Sequence, residues 1–448
     1  MTAIAVLGAG SPYAHAVAYA MIRCLDSDGV EVRLYDPDRG ACVITARSVR
    51  TRARAEDDRH KVVITPSVSS AVADADLIVH LYRVGGAHGR LDDERFAQRH
   101  DLLAQETNGL VAASQAIRNL AALDAVAPEI LTRAPTALNV ICSNPVGILT
   151  TAAARLGLPT IGLCELPHAF GESLVKHGIT LEYETLRLYG LNHCWFVVGT
   201  DRRSGTEVAM ADPHLLARVY RDTVLDSTPD AVCEELVRMA SLMSALPSPY
   251  WQYHMQRKSP RPATLRAEEV LAVNKEIMAS LAHCDFSLYD ALLAKRGGYR
   301  LETVVARLAG AYLGSEEVSR ISVCMPTIRD PSSHLGSSQE AVVEVTARSV
   351  RPRADESSVP AAVEALVSPI DSFEAGLVNA WVRGDAQAIG EAVLAHPLVR
   401  SPTAVMEWLD THGPWLGRSG RGSDNDDSGA SKPDSPKQVS PCGGTFSS

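Results

Sequence analysis

Residues 3–25 read AIAVLGAGSPYAHAVAYAMIRCL, an apolar run followed by a glycine-containing turn and a segment of helix-forming residues. Ala3–Leu7 has the length and apolarity of a buried strand, and Ala14–Leu25 has the composition of a helix. Gly8–Ser11 lies between them. This is the pattern of a dinucleotide-binding turn, because the first backbone N–H groups of the helix are unpaired and face the turn. The stretch predicts the beginning of a Rossmann-like α/β domain.

An acidic residue at the end of the second predicted strand indicates which dinucleotide would bind. Val30–Tyr35 is followed by Asp36, whose carboxylate can accept hydrogen bonds from an adenosine ribose and would repel a 2′-phosphate. NAD is therefore favoured over NADP. Tyr13 stands where the usual fingerprint has its third glycine, and a tight turn without any ligand is the alternative. The residues expected to contact NAD are Gly8, Gly10, Ser11 and Asp36.

Apolar runs of strand length alternate with helical segments as far as residue 166. These strand candidates are Val62–Thr65, Leu77–Leu81, Leu138–Cys142 and Thr160–Cys164. Such alternation predicts a parallel sheet. Residues 167–416 mix the two element types and predict an α+β region. Its helical candidates are Asp212–Ala245, Leu265–Ala294, Ser372–His396 and Pro402–His412, and its strand candidates are Leu181–Leu191, Ile321–Met325 and Ala341–Val350.

The composition of the 448 residues excludes several classes of protein. With 43 Lys+Arg against 53 Asp+Glu the net charge is −10, whereas nucleic-acid-binding proteins usually have the opposite balance. No apolar run is long enough for a membrane span, and the N-terminus lacks signal-peptide features. The nine cysteines are scattered, which favours a reducing cytoplasmic location. Residues 417–448 are rich in Ser, Gly, Asp and Pro, so we expect a disordered tail.

Eight segments, taken in order, resemble a known enzyme family. They are LYRVGGAHGRLDDE (81–94), QETNG (105–109), CSNPVG (142–147), GLCELP (162–167), GLNHCW (190–195), PSPYWQY (247–253), LRAEEV (265–270) and KRGGYRLE (295–302). Together they resemble glycoside hydrolase family four, whose members are NAD- and divalent-metal-dependent glycosidases acting mostly on 6-phosphosugars. The resemblance covers residues 3–412. It implies a Rossmann-like domain followed by an α+β domain of the lactate and malate dehydrogenase type, assembled as a homodimer or homotetramer.

The resemblance also implies an unusual reaction that departs from the two-carboxylate scheme of most glycosidases. The sugar is oxidised at C3 with NAD, loses its C2 proton to a base and eliminates the aglycone from C1. Water then adds, and C3 is reduced again. Cys164 and His193 match the family's metal ligands, commonly for manganese, and Tyr250 matches the catalytic base. Without the resemblance, Cys164 and His193 would be interpreted as buried core residues.

The resemblance also implies which residues contact the substrate. Arg83, Asn144 and Arg266 match substrate-binding positions, and guanidinium groups suit an anionic phosphate. Glu106 and Arg296 are expected to orient the site. The alternative for the arginines is surface salt bridging.

Two departures from the family pattern leave the substrate open. Glu165 stands where phospho-α-glucosidases have Asp and phospho-β-glucosidases usually have Asn, so it either protonates the leaving oxygen or supports the metal. Leu110 follows QETNG where the family usually has PGG. The sequence favours a 6-phospho-β-glucosidase-like hydrolase. The alternatives are a sugar oxidoreductase, epimerase or lyase, and a non-catalytic NAD-binding protein.

Overall fold

A computed structural model describes residues 1–25, 29–53, 60–223, 229–255, 264–297, 300–314, 318–327, 336–352 and 360–416. The predicted tail, residues 417–448, lies outside these residues. The strands are β1 Thr2–Leu7, β2 Val30–Tyr35, β3 Lys61–Ile64, β4 Leu77–His80, β5 Leu138–Ile141, β6 Thr160–Gly162, β7 Arg187–Leu191, β8 Cys194–Val198, β9 Leu246–Pro247, β10 Ser319–Met325, β11 Gln339–Thr346 and β12 Ser349–Pro352.

Helices separate these strands and follow the last of them. They are α1 Ala14–Cys24, α2 Arg39–Ala53, α3 Val68–Val72, α4 Gly86–Arg99, α5 Gly109–Arg133, α6 Val146–Arg155, α7 Leu166–Lys176, α8 Pro213–Thr223, α9 Asp230–Met243, α10 Gln252–Met255, α11 Arg266–His283, α12 Phe286–Arg296, α13 Leu301–Tyr312, α14 Ala361–Arg383, α15 Ala386–Ala395 and α16 Pro402–His412. None of the described helices is both long and apolar enough to cross a membrane.

The first half of the sheet is parallel, as predicted. Its strand order is β3-β2-β1-β4-β5-β6, with β1 paired to β2 on one side and to β4 on the other. The order reverses direction at β1, which is the point where Rossmann-like sheets bind ligands beyond the carboxyl ends of their strands. The predicted strands agree with the observed ones to within two residues. The last, predicted as Thr160–Cys164, ends at Gly162, so that Cys164 lies outside the sheet.

The second half continues the same sheet with antiparallel strands. β10 pairs with β6 through Cys324 and Gly162, and β11, β7, β8 and β9 follow in that order. β12 pairs with β11, which completes a twelve-stranded sheet. The division at residue 166 falls at the beginning of α7, but the sheet runs across it. Two separate domains therefore stay a prediction.

Both faces of the parallel half are covered by helices. Successive residues of β1 point to opposite sides, with Ile4 packed among residues of α1, α2 and α13 and Leu7 among residues of α5 and α6. On that side α14, α15 and α16 follow, with α14 packed against α6 and α15 against α5, and their buried side chains include Trp381 and Trp408. Helices from the end of the chain therefore cover helices from its first half.

Candidate active site

A cavity of about 1460 Å³ lies beyond the carboxyl ends of the parallel strands. All the residues predicted to act in catalysis or binding line it, and they come from both halves of the sheet. They are Gly8, Gly10, Ser11, Asp36, Arg83, Glu106, Asn144, Cys164, Glu165, His193, Tyr250, Arg266 and Arg296. The structure thus brings the set together in one place, and the individual roles stay predictions.

The glycines of the predicted dinucleotide turn are required by the protein's own packing. Gly8 has φ +95°, and a Cβ there would lie 2.3 Å from the backbone nitrogen of Tyr82. Gly10 donates its backbone N–H to Asp36 Oδ2 at 2.8 Å, and Asp38 donates to Asp36 Oδ1 at 2.8 Å. Burial raises the pKa of Asp36. Its carboxylate therefore already accepts two backbone hydrogen bonds, and its remaining lone pairs are available to a ribose.

The two predicted metal ligands are neighbours in space. Cys164 follows β6, His193 lies in the turn between β7 and β8, and the distance from Cys164 Sγ to His193 Nε2 is 3.2 Å. Burial lowers the pKa of His193 to about 4, so its imidazole is neutral and able to bind a metal. Burial also raises the pKa of the Cys164 thiol. Among the described residues no group of three or more His, Cys, Asp or Glu could hold a metal ion, and the role of the Cys164–His193 pair stays a prediction.

Ser248 holds His193 and Tyr250 against each other. Its hydroxyl donates to the backbone carbonyl of His193 at 2.6 Å and accepts the backbone N–H of Tyr250 at 3.2 Å. The ring centroids of His193 and Tyr250 are 4.3 Å apart. Burial raises the pKa of Tyr250 well above its usual value, with Tyr253 adding to the effect. The phenol is thus well placed but is a weak base unless positive charge lies close to it.

The predicted substrate residue Arg83 belongs to a chain of ion pairs that the sequence did not indicate. Its guanidinium contacts Glu106, which also binds Arg90 at 3.0 Å. Burial alone would raise the pKa of Glu106, but Arg90 and Arg83, together with Arg296, hold it well below its usual range. Arg90 binds Glu94 at 2.5 Å, and Glu94 accepts the backbone N–H of Ala267 at 3.0 Å. Buried arginines therefore join the parallel half to the beginning of α11.

Asn119 fixes the backbone on either side of the substrate pocket. Its side chain accepts the backbone N–H of Val84 at 2.9 Å and donates to the carbonyl of Asn144 at 2.9 Å. Asn144 precedes a cis peptide bond to Pro145. The loops that carry Arg83 and Asn144 are thereby tied to α5, and a lone Asn inside a helix gave no sequence signal of this role.

Arg266 and Arg296 approach each other across α11 and α12. Arg266 Nη2 donates to the carbonyl of Arg296 at 3.4 Å, and its Nη1 pairs with Glu269 at 2.7 Å. Arg296 Nε donates to Asn274 Oδ1 at 2.9 Å. The predicted alternative, surface salt bridging, describes part of the Arg266 contacts, because Glu269 is exposed.

A comparison with the sequence patterns of known protein families shows to which family this chain belongs. The pattern described as Family 4 glycosyl hydrolase matches residues 3–180, and the Family 4 glycosyl hydrolase C-terminal domain matches residues 188–399. The chain belongs to the family 4 glycosyl hydrolases. The resemblance drawn from the eight segments is thereby confirmed.

Similar proteins within family 4 are named as phosphoglucosidases. A probable 6-phospho-beta-glucosidase of Bacillus subtilis (strain 168) is 25% identical over 434 residues, which cover 91% of this chain and 94% of the relative. The 6-phospho-beta-glucosidase BglT of Thermotoga maritima is 27% identical over 315 residues, covering 68% and 72%. A Thermotoga maritima 6-phospho-beta glucosidase structure with manganese, NAD+ and glucose-6-phosphate matches with a TM-score of 0.74 and 20% identity, covering 94% and 100%. This likeness confirms the predicted fold class.

The unusual acid of this family 4 chain, Glu165, is the residue immediately before α7. Burial raises its pKa, and Arg296 acts in the opposite direction. Its Oε2 is 3.9 Å from Cys164 Sγ. The position is compatible with a proton donor to the leaving oxygen and with a support for the metal, so both predicted roles stay open.

The altered segment after QETNG lies in the protein core. Leu110 is buried in the first turn of α5, among the residues that cover the parallel sheet. Gly109 donates its backbone N–H to His396 Nε2 at 3.3 Å, and Asn108 Oδ1 lies 3.4 Å from His254 Nε2. Leu110 thus packs in the core, while Gln105 and Glu106 of the preceding segment line the cavity.

Two buried acids near the site went unnoticed in the sequence. Glu340 accepts a hydrogen bond from Asn192 at 2.8 Å, and burial raises its pKa to about 7. Burial raises the pKa of Glu374 to about 8. Glu374 Oε2 has no hydrogen-bond partner among the described residues, and a Cβ on Gly147 would lie 2.7 Å from it. Neither acid belongs to a motif, so no pattern could have indicated them.

Proposed function

We propose that the protein is an NAD- and divalent-metal-dependent glycosidase that acts on a 6-phosphorylated β-glycoside. The observation that carries the proposal is the Cys164–His193 pair, 3.2 Å apart, with the Tyr250 ring beside it in a cavity that also contains the dinucleotide turn. Family membership and the names of the similar proteins support it. The matched Thermotoga maritima structure contains manganese, NAD+ and glucose-6-phosphate.

The residues present fit both absent groups. The open cavity beside the N-terminus of α1, with Gly10, Ser11 and Asp36 on its wall, suits a dinucleotide. A neutral imidazole next to a thiol suits a borderline divalent ion, with coordination positions left for substrate oxygens. The family resemblance implies that this ion is commonly Mn²⁺, for which the substrate oxygens would supply the harder ligands. When bound, NAD⁺ and the cation supply a hydride acceptor and a Lewis acid beside the sugar.

The chain's own residues would carry out the proton transfers and orient the reacting groups. Tyr250 takes the C2 proton, and Ser248 keeps its ring against His193. Because burial raises the pKa of Tyr250, it depends on positive charge nearby, to which Arg90 contributes. Glu165 either gives a proton to the leaving oxygen or supports the cation.

An anionic substrate is supported by the charges of the cavity wall. Arg83, Arg90, Arg266 and Arg296 all line it. Glu106 pairs with Arg83 and Arg90, and Glu269 pairs with Arg266. A phosphate on the sugar would suit these guanidinium groups, whose N–H donors match its oxygens.

A non-hydrolytic sugar oxidoreductase, epimerase or lyase is the second candidate function. One of the two sequence departures that suggested it, the replacement at Leu110, gives it little support. Leu110 lies in the core and is not among the residues that line the cavity. Glu165 remains the one observation in its favour. The non-catalytic alternative would have to explain why Cys164, His193 and Tyr250 meet at the cavity.

Solvent deuterium exchange at C2 tests the proposal directly. The purified protein, with NAD⁺ and Mn²⁺ in D₂O, is incubated with α- and β-glycosides in their 6-phosphorylated and free forms. We expect deuterium at C2 and release of aglycone from a 6-phospho-β-glycoside, without net NADH formation, and loss of both with EDTA. Stoichiometric NADH at 340 nm would favour the oxidoreductase, and exchange that needs neither NAD⁺ nor metal would refute the proposal.

We further propose a cytoplasmic homodimer or homotetramer, as the family resemblance implies. A reducing compartment would keep the Cys164 thiol available to a metal. Light scattering coupled to gel filtration measures the assembly, and a monomer across the working concentration range would contradict it.

A further inference from the structure

Tyr13, the residue in place of the third glycine, reaches across the cavity. Its backbone belongs to the dinucleotide turn, where its N–H donates to Ser11 Oγ at 3.4 Å. Its hydroxyl donates to the carbonyl of Gly297 at 2.8 Å, although the two residues are 284 positions apart. Gly297 directly follows α12, whose last residue is the predicted substrate contact Arg296.

The same tyrosine also supports the arginine itself. The Arg296 guanidinium lies over the Tyr13 ring, 5.5 Å from its centroid, at the distance of a cation–π contact. Burial raises the pKa of Tyr13, so its hydroxyl stays protonated and can donate. The carbonyl of Arg296 in turn accepts Arg266 Nη2 at 3.4 Å. One side chain on the cofactor turn therefore holds the carbonyl of Gly297, next to the Arg296 carbonyl that the predicted substrate contact Arg266 binds.

A second contact makes the connection between α12 and the turn stiffer. Tyr289, in the middle of α12, donates its hydroxyl to the carbonyl of Pro12 at 2.9 Å, and the same oxygen accepts the backbone N–H of Ala16 at 3.2 Å. Helix α12 is thus bonded to the turn at two places along its length. A shift of the turn would be transmitted to Arg296.

We infer that Tyr13 is a positioning residue that couples dinucleotide binding to binding of the phosphorylated sugar. This inference rests on the proposed function, because it takes the turn as the NAD site and Arg296 as a substrate contact. A dinucleotide orders the turn and, through Tyr13, the Arg296–Arg266 pair. A sugar phosphate orders the same link from its other end. Whichever ligand binds second therefore finds the contact between Tyr13 and the Arg296–Arg266 pair already ordered. Each ligand thus raises the affinity of the protein for the other.

The test measures the coupling factor rather than either affinity alone. The dissociation constant of NAD⁺ is determined by calorimetry on the full chain with Mn²⁺, with and without saturating glucose 6-phosphate, and the ratio is the coupling factor. Tyr13→Phe keeps the ring under Arg296 and removes the hydroxyl. The matched control is Tyr19→Phe, in helix α1 that follows the turn, with Arg52 over its ring at 4.6 Å and no place on the described cavity wall.

We expect a coupling factor of at least about fivefold in the wild type and in Tyr19→Phe. Tyr13→Phe should lower the factor by about fivefold, the equivalent of one neutral hydrogen bond, while each ligand alone binds with little change. The reciprocal titration, glucose 6-phosphate with and without NAD⁺, must give the same factor. A residue with a merely structural role would weaken both affinities and leave their ratio unchanged.

Two results would separate this inference from the proposed function. If the wild type binds both ligands and Tyr13→Phe retains the full coupling factor, the inference is wrong and the proposed function stands. If the wild type binds neither NAD⁺ nor glucose 6-phosphate, the proposed function fails and the inference fails with it.

Discussion

The two ends of the cavity differ in how their polar groups are satisfied. At the proposed dinucleotide end, Asp36 accepts two backbone hydrogen bonds and Gly8 fits against neighbouring backbone. At the proposed metal end, burial favours the uncharged forms of Cys164, His193 and Tyr250. Asp36 is satisfied by hydrogen bonds within the protein, whereas under the proposed function the metal end needs a bound cation before its thiol and phenol can become charged. We therefore expect dinucleotide affinity to survive changes that abolish the chemistry.

The largest effect is expected from Cys164→Ser, which breaks the metal end and leaves the other intact. A serine hydroxyl does not ionise as a thiol does, so the exchange rate at C2 should fall at least about a thousandfold. The dissociation constant of NAD⁺ should stay within about twofold. Cys284→Ser, at a half-buried cysteine after α11, is the control and should behave as the wild type. Full exchange in Cys164→Ser would remove the thiol from the mechanism.

Tyr250→Phe removes the proposed base without removing its ring contact with His193. The C2 exchange rate should fall about a hundredfold, the usual contribution of a positioned general base. Tyr253→Phe is the matched comparison, because its ring lies 5.4 Å from that of Tyr250 and carries no proposed proton transfer. We expect a much smaller loss there. Equal losses in the two variants would argue for a packing role of both rings.

Glu374→Gln tests the buried acids behind the metal end through protein stability. Burial raises the pKa of Glu374 from 4.5 in the unfolded chain to about 8 in the folded one. The unfolded state therefore releases the proton first, so this contribution to stability is fully present below pH 4.5 and is lost as the pH rises through 8.

A glutamine cannot ionise, so the variant should lose less stability than the wild type between mildly acidic and mildly alkaline pH. The expected difference in the change of unfolding free energy is on the order of 2 kcal/mol, measured by urea denaturation. Comparing the two proteins cancels the opposite slope from the buried histidines. Glu364→Gln, exposed on the same helix, should follow the wild-type curve. Parallel curves for wild type and Glu374→Gln would contradict the shifted pKa.

The smallest effect is expected at the dinucleotide end, from Asp36→Asn. The amide nitrogen would face a backbone N–H in place of an acceptor oxygen, and the repulsion of a 2′-phosphate would be lost. The dissociation constant of NAD⁺ should rise about tenfold, and the preference over NADP⁺ should shrink. Asp38→Asn, at an exposed acid two residues further on, should change the constant by less than about threefold. An unchanged cofactor preference in Asp36→Asn would mean that Asp36 serves only the turn.

The sequence predicted the parallel half of the fold well because its signals are local. A strand such as Leu77–His80 is a short buried, mostly apolar run, and Val30–Tyr35 alternates buried apolar residues with less buried ones. The elements of the antiparallel half were predicted less completely from the sequence. β8 was not predicted, and α14 was predicted from Ser372 although it begins at Ala361, because Pro369 interrupts the helical pattern without ending the helix.

The same division applies to the site. Residues inside quoted motifs, such as Cys164 and His193, were predicted because each motif carries its own signal. The residues that hold them, such as Ser248, Asn119 and Arg90, act through contacts between distant parts of the chain. Tyr13 was noticed only as a missing glycine, since its partner lies 284 residues away. Only the folded structure reveals such contacts.

The packing of the last helices against α5 and α6 has a consequence for biosynthesis. A ribosome completes α5 and α6 long before it reaches α14, α15 and α16, so the apolar face that α5 and α6 turn toward these later helices stays exposed to water until they are made. Trp408 reaches its place against Ser114, at 2.7 Å, only when nearly the whole described chain has been made. A fragment cut at residue 166 should therefore aggregate, and the newborn protein should depend on chaperones that shield that face until synthesis ends.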